Sequence, residues 1–427
     1  MIELTVESLC YGGDGIGRFD GQAVFVPGSL PGDRAVCRIV HRRKNYLRAE
    51  VVEFLQRGDG YRTPPCPWYG RCGGCSWQHL DEPSQAQWKA RLLADQFRRG
   101  LKRDDIPAVE FHRASRVWNY RSRVQFKCHY GCDGRLSIGF YRCGSHFVED
   151  IQQCRVADER FNDLLRQLHS WLPSFVRPDR VPQIDASVGD SGSPHVVLHL
   201  LSGQTVPSDV LEGLRRQGWG VHVQRGKKHS LQTLVEAPAV MIHPLKHGLK
   251  LGTVPGGFHQ IHLEQNRLLV DMVTSLAALQ GGETVLDLFC GMGNLTLPLA
   301  RYCGKIVGVE DFAPAIECAR ENAKANGLNN ARFVAAPAGD FLAGWEGTAE
   351  LVVLDPPRTG ARACVAGLLR LRPRRILYVS CDPATQVRDL APLLGNGYRL
   401  ERLVGIDMFP QTWHIESLAL LVRDGEG

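Results

Sequence analysis

From Gly281 onward the chain alternates short apolar runs with amphipathic ones, a pattern that few folds can satisfy. "TVLDLF", "KIVGVE", "ARFVAA", "LVVLDPP" and "RRILYVSC" read as buried strands, too short and too continuous for helices. "NLTLPLA", "PAIECARENAKANGL" and "ATQVRDLAPLL" carry helical spacing between them. Parallel strands need a long crossover and a helix is its compact form, so the alternation predicts a parallel sheet covered by helices on both faces. Ligands of such sheets bind at the strand carboxyl ends, where Cys290, Asp355 and Cys381 fall. "YRLERLVGID" and "HIESLALLVR" read as a closing pair of strands.

The first 56 residues keep another rhythm. "IELTVESL", "QAVFVPG", "RAVCRIV" and "RAEVVEFL" alternate apolar and polar positions, with glycine and proline turns between, as in a small β-barrel. "RGDGYRTPPCP" supplies a linker. Beyond it the pattern is mixed: "SQAQWKARLLADQFRRGL" is helix-like and "RSRVQFKCHYGCDGRLSIGFYR" hairpin-like. The expected division is a barrel over 1–56, a mixed α+β domain over 57–257 and a Rossmann-like α/β domain over 258–427. Residues 156–250 carry no usable motif.

The net charge of +6 is modest, but the basic residues are bunched. "RAVCRIVHRRKNYLR" holds Arg34, Arg38, Arg42, Arg43, Lys44 and Arg48 without an acid, and Tyr46 can stack on a base. Looser groups are Arg113, Arg116, Arg121, Arg123 and Lys127, then Arg225, Lys227 and Lys228. Together they point to a polyanion partner. No export signal is visible and no apolar run approaches about 18 residues, which argues against a membrane span. With no such signal, fourteen cysteines favour metal binding, catalysis or burial over disulfides, and the expected location is the cytoplasm.

In "VLDLFCGMGN", Gly291 and Gly293 occupy a strand-to-helix turn, where missing β-carbons let backbone amides approach a ligand. Glu310 ends the next strand and can accept from a ribose hydroxyl pair. A dinucleotide site would usually carry a third glycine, but Asn294, Leu295 and Thr296 follow, which favours a nucleoside without phosphates. S-adenosylmethionine fits, with Asp287 at its cationic amino-acid end and Asp340 at the adenine amine. "LDPPRTGA" has Arg358 where amine methyltransferases place an aromatic residue against the target base.

A strand that stops on "SCDP" puts a thiol at the mouth of this site. Carbon 5 of uracil is a poor nucleophile, and a thiolate adding at carbon 6 turns the ring into an enolate whose carbon 5 can attack a sulfonium methyl group. Cys381 is the expected nucleophile. The carbon-5 proton must then leave before the thiolate is expelled, and Glu416 in "QTWHIES" is the expected general base. The helix beginning at Pro383 offers its amino-terminal dipole to the thiolate.

"CPWYGRCGGC" spaces Cys66, Cys72 and Cys75 as C-x5-C-x2-C, which suits an iron-sulfur cluster or zinc, although zinc sites more often show two C-x2-C pairs. A fourth ligand could come from Cys128, Cys132, Cys143 or Cys154, of which Cys154 lies on a loop before a helix and is preferred.

The assembled motifs resemble the S-adenosylmethionine-dependent RNA (uracil-5)-methyltransferases, especially the bacterial 23S ribosomal RNA branch. "GFHQIHLEQN", "DLFCGMGN", "LDPPRTGA", "SCDPAT" and "DMFPQTWHIES" match that family in order, and the resemblance spans nearly the whole chain. It implies a class I methyltransferase domain, an RNA-binding TRAM barrel over 1–56 and a 4Fe-4S site on Cys66, Cys72, Cys75 and Cys154. It also implies that Gln260, Gly291, Glu310 and Asp355 serve the cofactor or active site, that Phe258 lines it, and that 81–110 packs on the methyltransferase domain. The chain departs from the motifs with His262 in place of asparagine and with a bulky Trp413. Bacterial transfer RNA members generally lack the barrel and cluster segments, so ribosomal RNA is the expected partner, transfer RNA the alternative, and no obligate protein partner is implied, the chain acting as a monomer. A radical methylthiotransferase would need C-x3-C-x2-C, which is absent. A third reading, an RNA-binding protein whose catalytic fold has decayed, is opposed by the intact Gly291, Glu310, Asp355, Cys381 and Glu416.

Overall fold

The computed structural model describes residues 1–131, 134–226, 230–245 and 248–425. Cys132, Lys227 and Lys228 lie outside the described residues.

Alternation in the first segment yields β1 (Ile2–Leu9), β2 (Gly15–Phe19), β3 (Gln22–Val26), β4 (Arg34–Arg42) and β5 (Tyr46–Gln56). They close into a barrel in the order β1-β2-β3-β5-β4, which removes the free edges. Ile2, Leu4 and Val6 fill its interior at every second position of β1. Leu9 and Leu30 belong instead to the core cluster that contains Trp77, Phe97 and Leu286, so the barrel is packed onto the rest of the chain.

Helix α1 (Glu82–Leu101) starts where the Asp81 carboxylate accepts from the Ser84 amide at 2.8 Å, and ends at Lys102, whose φ of 54° is left-handed. Strand β6 (Val109–His112) follows. The middle of the chain forms β7 (Arg123–Tyr130), β8 (Leu136–Tyr141), β9 (Val148–Asp150), α2 (Glu159–Trp171), β10 (Gln183–Ser187), β11 (His195–His199), α3 (Ser208–Arg216), β12 (Gly220–Gln224) and β13 (Leu231–Val235). Its seven strands run in the order β13-β12-β11-β10-β7-β8-β9. The helices bury Leu164, Leu168, Val210 and Leu214 in the same core as Val124, Phe126 and Ile184. A short ladder, β14 (Met241–Ile242) with β15 (Leu251–Gly252), leads on.

The last part comprises α4 (Leu263–Ala277), β16 (Thr284–Leu288), α5 (Thr296–Ala300), β17 (Lys305–Glu310), α6 (Ala313–Ala325), β18 (Ala331–Ala335), α7 (Ala338–Gly344), β19 (Leu351–Leu354), α8 (Val365–Leu371), β20 (Arg375–Ser380), α9 (Pro383–Leu394), β21 (Tyr398–Ile406) and β22 (Glu416–Arg423). The eight-stranded sheet has the order β18-β17-β16-β19-β20-β22-β21-β6. Strands β16 to β20 run parallel, and β22 is antiparallel to both β20 and β21. The sheet therefore ends on β6, contributed from far upstream and parallel to β21. Its direction of winding reverses between β16 and β19, the place where open α/β sheets leave a crevice.

Candidate active site

Strand direction brings the two expected catalytic groups together. Ser380 at the end of β20 pairs with Ser417 near the start of β22, so the next residues outward are Cys381 and Glu416. The Ser417 hydroxyl donates to Gln386 Oε1 at 2.7 Å and lies 3.0 Å from the Ser380 carbonyl, while Gln386 Nε2 donates to the Tyr378 carbonyl at 2.7 Å. This network fixes β20, β22 and α9 against one another. Pro383 opens α9 and Asp382 caps it, accepting from the Thr385 amide at 3.0 Å. The capping carboxylate already takes part of the helix dipole that would otherwise act on Cys381.

The loop after β19 is held from the same helix. Asp389 accepts from the Ala361 amide at 2.7 Å and from the Tyr378 hydroxyl at 2.8 Å, and Arg388 donates to the Thr359 carbonyl at 2.8 Å. Asp355 and Arg358 are thereby fixed beside Cys381 and Glu416. Gln260 is buried just ahead of α4 and donates to Asp355 Oδ2 at 3.4 Å, while Phe258 is 68% exposed.

The pocket is electrically unbalanced. Burial, with the Asp355 charge next, pushes the Glu416 carboxyl well above the usual range, against the pull of Arg358. Asp355 is pushed up to about 7 by burial, with the Gln260 hydrogen bond opposing. Burial and then the Glu416 charge push the Cys381 thiol up to about 12, and Arg358 acts in the other direction. His414, its Nε2 3.5 Å from Arg358 Nη2, is driven down to about 3 by burial and that guanidinium, and is neutral. Arg358 was legible only as an argument against amine methylation; in the structure its charge acts on both Cys381 and Glu416.

At the crevice, Asp287 of β16 is fully buried, with Oδ2 accepting from Thr296 Oγ1 and Oδ1 lacking a partner. Burial and then the charges of Asp355 and Glu310 push it up to about 7. Glu310 accepts from the amides of Gly291 at 3.3 Å and Phe312 at 3.0 Å. Gly291 has φ of 53° and open space where a β-carbon would stand. Gly293 differs: a β-carbon there would stand 3.0 Å from Leu297, so its role is close backbone packing. Phe289 holds a left-handed φ of 67° just before this turn, a strained conformation of the kind found at ligand sites. Cys290 is buried with its sulfur against Gly308, a packing role, and Asp340 is exposed in the first turn of α7.

The two departures from the motifs have structural reasons. His262 caps α4 as asparagine would, accepting from the Gln265 amide at 3.4 Å while its other nitrogen bonds the Arg116 carbonyl at 2.8 Å; burial lowers its pKa and keeps it neutral. Trp413 is accommodated because Gly13 of the barrel has no side chain: a β-carbon there would come within 2.7 Å of the indole.

The segment before Glu416 is anchored from upstream. Lys89 of α1, fully buried, donates to Asp407 Oδ1 at 2.6 Å and to the Phe409 carbonyl at 3.0 Å. The Gln411 carbonyl accepts from the amides of Ser76 at 3.0 Å and Trp77 at 2.9 Å, and its amide donates to Gln85 Oε1 at 2.9 Å.

Cys66, Cys72, Cys75 and Cys154 line one cavity, with Trp68, Phe140 and Ile151 supplying apolar walls. Their sulfurs are not paired in disulfides. Burial pushes Cys72 up to about 11 and Cys75 up to about 12. Arg121 lines the same cavity and pulls the Cys154 thiol downward against its burial, and Gln78 Oε1 there has no partner. Arg121 therefore leaves the expected surface group of basic residues. Cys128 lies in β7 and Cys143 is exposed. Among the described residues, no three His, Cys, Asp or Glu side chains converge as a single metal ion requires.

On the barrel, Arg34, Arg38 and Arg48 pair with Glu3, Glu50 and Asp14. Arg42, Arg43 and Lys44 are exposed at the β4–β5 hairpin, next to a partly exposed Tyr46. Among the described residues, no helix is long and apolar enough to cross a membrane.

Known proteins share this organisation. The TRAM domain family matches residues 1–52 and the tRNA (Uracil-5-)-methyltransferase family matches residues 214–424. The 23S rRNA (uracil(1939)-C(5))-methyltransferase RlmD of Alkalilimnicola ehrlichii is 37% identical, covering 99% of this chain and 97% of its own. Its counterpart in Shewanella amazonensis is 33% identical, covering 98% and 95%. The crystal structure of Pyrococcus abyssi tRNA (uracil-54, C5)-methyltransferase in complex with S-adenosyl-L-homocysteine superposes with a TM-score of 0.76, covering 99% of this chain and 100% of that one; at 23% identity it speaks for the fold alone. With relatives of this identity aligned from the barrel to the last strand, the chain belongs to the RNA (uracil-5)-methyltransferase family.

Proposed function

We propose that this protein methylates carbon 5 of a uridine in 23S ribosomal RNA, with Cys381 as nucleophile and Glu416 as general base. The observation that carries the chemistry is the β20–β22 register, which sets a thiol and a buried carboxyl at one end of the sheet beside Asp355 and Arg358. The substrate follows from relatives that align over the entire chain, barrel included, and are named for a 23S ribosomal RNA uridine. Transfer RNA remains the alternative substrate for the same chemistry.

S-adenosylmethionine supplies an electrophilic methyl group on a sulfonium cation when bound. The residues present fit it: carboxyl groups of Asp287, Glu310, Asp355 and Glu416 surround the crevice, one Asp287 oxygen lacks a partner, and Gly291 leaves room beside the chain. Glu310 is suited to the ribose hydroxyls, Asp287 to the amino-acid end, and Gln260 with Asp355 to the transfer region; exposed Asp340 is suited to the adenine edge. The Cys381 sulfur forms a bond to carbon 6, which frees the 5,6 electron pair to form the new bond at carbon 5. Glu416 then takes the carbon-5 proton, and the returning electron pair restores the double bond and expels the thiolate. The target base must leave its stack to reach a thiol inside a cleft.

We infer too that the cysteine cavity holds a 4Fe-4S cluster. Cys66, Cys72, Cys75 and Cys154 line one cavity with apolar walls and would hold such a cluster, for which thiolates are the usual ligands. Its chemistry is structural, since the methyl group arrives already activated.

The test is Glu416→Gln. The thiolate should add and the methyl transfer, but release should stall, leaving protein covalently bound to RNA on a denaturing gel. Adding Cys381→Ala should abolish the band; a band that persists sinks the assignment.

A further inference from the structure

The turn between β1 and β2 reaches from the barrel to the active site. Gly13, with φ of 92°, lies against Trp413, and its carbonyl accepts from Trp77 Nε1 at 3.1 Å. The turn carries Tyr11, whose ring meets the Trp413 ring edge-on with centroids 4.9 Å apart. That packing accounts for an aromatic ring but not for its hydroxyl, which is shielded from solvent and has no hydrogen-bond partner. Buried polar atoms are rarely left so, and the exceptions need a reason. The groups whose charges act on this hydroxyl are the α9 cap Asp382 and then Cys381, Arg358 and Glu416, three of the four groups gathered at the reaction centre. Burial raises its pKa, so it stays protonated and can donate throughout the working range.

We propose that Tyr11 is a further catalytic residue: its hydroxyl donates a hydrogen bond to a carbonyl oxygen of the pyrimidine held beside Cys381. The proposal rests on the reading that Cys381 adds to that ring. Addition at carbon 6 moves negative charge through carbon 5 onto the carbonyl oxygen, and a fixed neutral donor binds that oxyanion more strongly than the starting carbonyl. The proton stays on the phenol and no bond at Tyr11 breaks. The barrel then contributes to the reaction itself, beyond any contact with phosphates.

Tyr11→Phe in the full-length protein keeps the ring against Trp413 and removes only the hydroxyl. Single-turnover methyl transfer to an unmodified 23S ribosomal RNA transcript should slow about 100-fold, while RNA affinity and the melting temperature stay near wild type. Cys381→Ala, assayed beside it, should be inactive. A wild-type rate in Tyr11→Phe with Cys381→Ala inactive overturns the role of Tyr11 alone. Activity in Cys381→Ala overturns the underlying reading and this proposal with it. A slower rate that tracks a lower melting temperature or weaker RNA binding assigns the hydroxyl to folding or docking, and overturns the proposal as well.

Discussion

A thiol held at about 12 instead of its ordinary 9.0 is about 4 kcal/mol harder to ionise, so Cys381 is almost entirely protonated at neutral pH in the cofactor-free protein. Burial and the Glu416 charge cause this, and Arg358 only partly offsets them. A sulfonium would add a further positive charge to that of Arg358. A unit charge roughly 5 Å from the sulfur, at an effective dielectric constant of about 20, is worth about 3 kcal/mol, which lowers the thiol pKa by about 2 and raises its thiolate fraction about 100-fold. The assay is the pH dependence of Cys381 alkylation by iodoacetamide, followed by peptide mass spectrometry so that other cysteines do not contribute. It should be run with no cofactor, with neutral S-adenosylhomocysteine, and with an analogue carrying a protonated amine in place of the sulfonium. Only the cationic analogue should shift the profile downward by about 2 pH units. Identical profiles with the neutral and charged analogues, or an ordinary thiol profile in the free protein, would refute the electrostatic argument.

Replacing Lys89 by Met leaves Asp407 buried without its cation and should destabilise the protein by about 3–5 kcal/mol in urea denaturation, with part recovered in Lys89→Met/Asp407→Leu; a loss below about 1 kcal/mol would show the pair to be unimportant. Asp287 and Asp355 bind protons more tightly folded than unfolded, with pKa values raised from 3.8 to about 7. Their contribution to stability is therefore complete below pH 3.8 and lost as the pH rises through 7. Melting of the cofactor-free protein should fall over that interval and flatten in Asp287→Asn/Asp355→Asn; an unchanged slope in the double variant counts against it. Cys75→Ala should lose iron and sulfide on chemical analysis and unfold earlier, whereas an undiminished iron content would remove Cys75 from the ligand set. Wild-type methyl transfer should run equally fast in reducing and air-equilibrated buffer if the cluster is structural.

The C-terminal sheet was legible because buried parallel strands are short continuous apolar runs, as in "LVVLDPP" and "RRILYVSC". The barrel was legible because strict alternation, as in Ile2, Leu4 and Val6, has one physical reading. The seven-stranded middle sheet was not: β10, β11 and β12 are mostly buried on both sides, so their period is hidden, and β10 pairs with β7 from well upstream. At the site, Cys381 and Glu416 could be singled out because uracil methylation calls for a thiol and a base, and the β20–β22 register brings the two side by side. Tyr11 stayed invisible, since nothing local tells a barrel turn that it will meet Trp413. Arg121 misled for the converse reason: a basic residue among others looks like surface until folding encloses it beside cysteines.

Because Ser380 faces Ser417 across an antiparallel ladder, the backbones that carry the thiol and the carboxyl are spaced as adjacent strands are, about 4.8 Å, whatever the length of chain between them. The turn between α9 and β21 can lengthen or shrink over generations without altering that spacing. A single inserted residue inside β22 has the opposite effect: a register slip would move the side chains on one side of the insertion to the other face, and the carboxyl would turn away from the thiol.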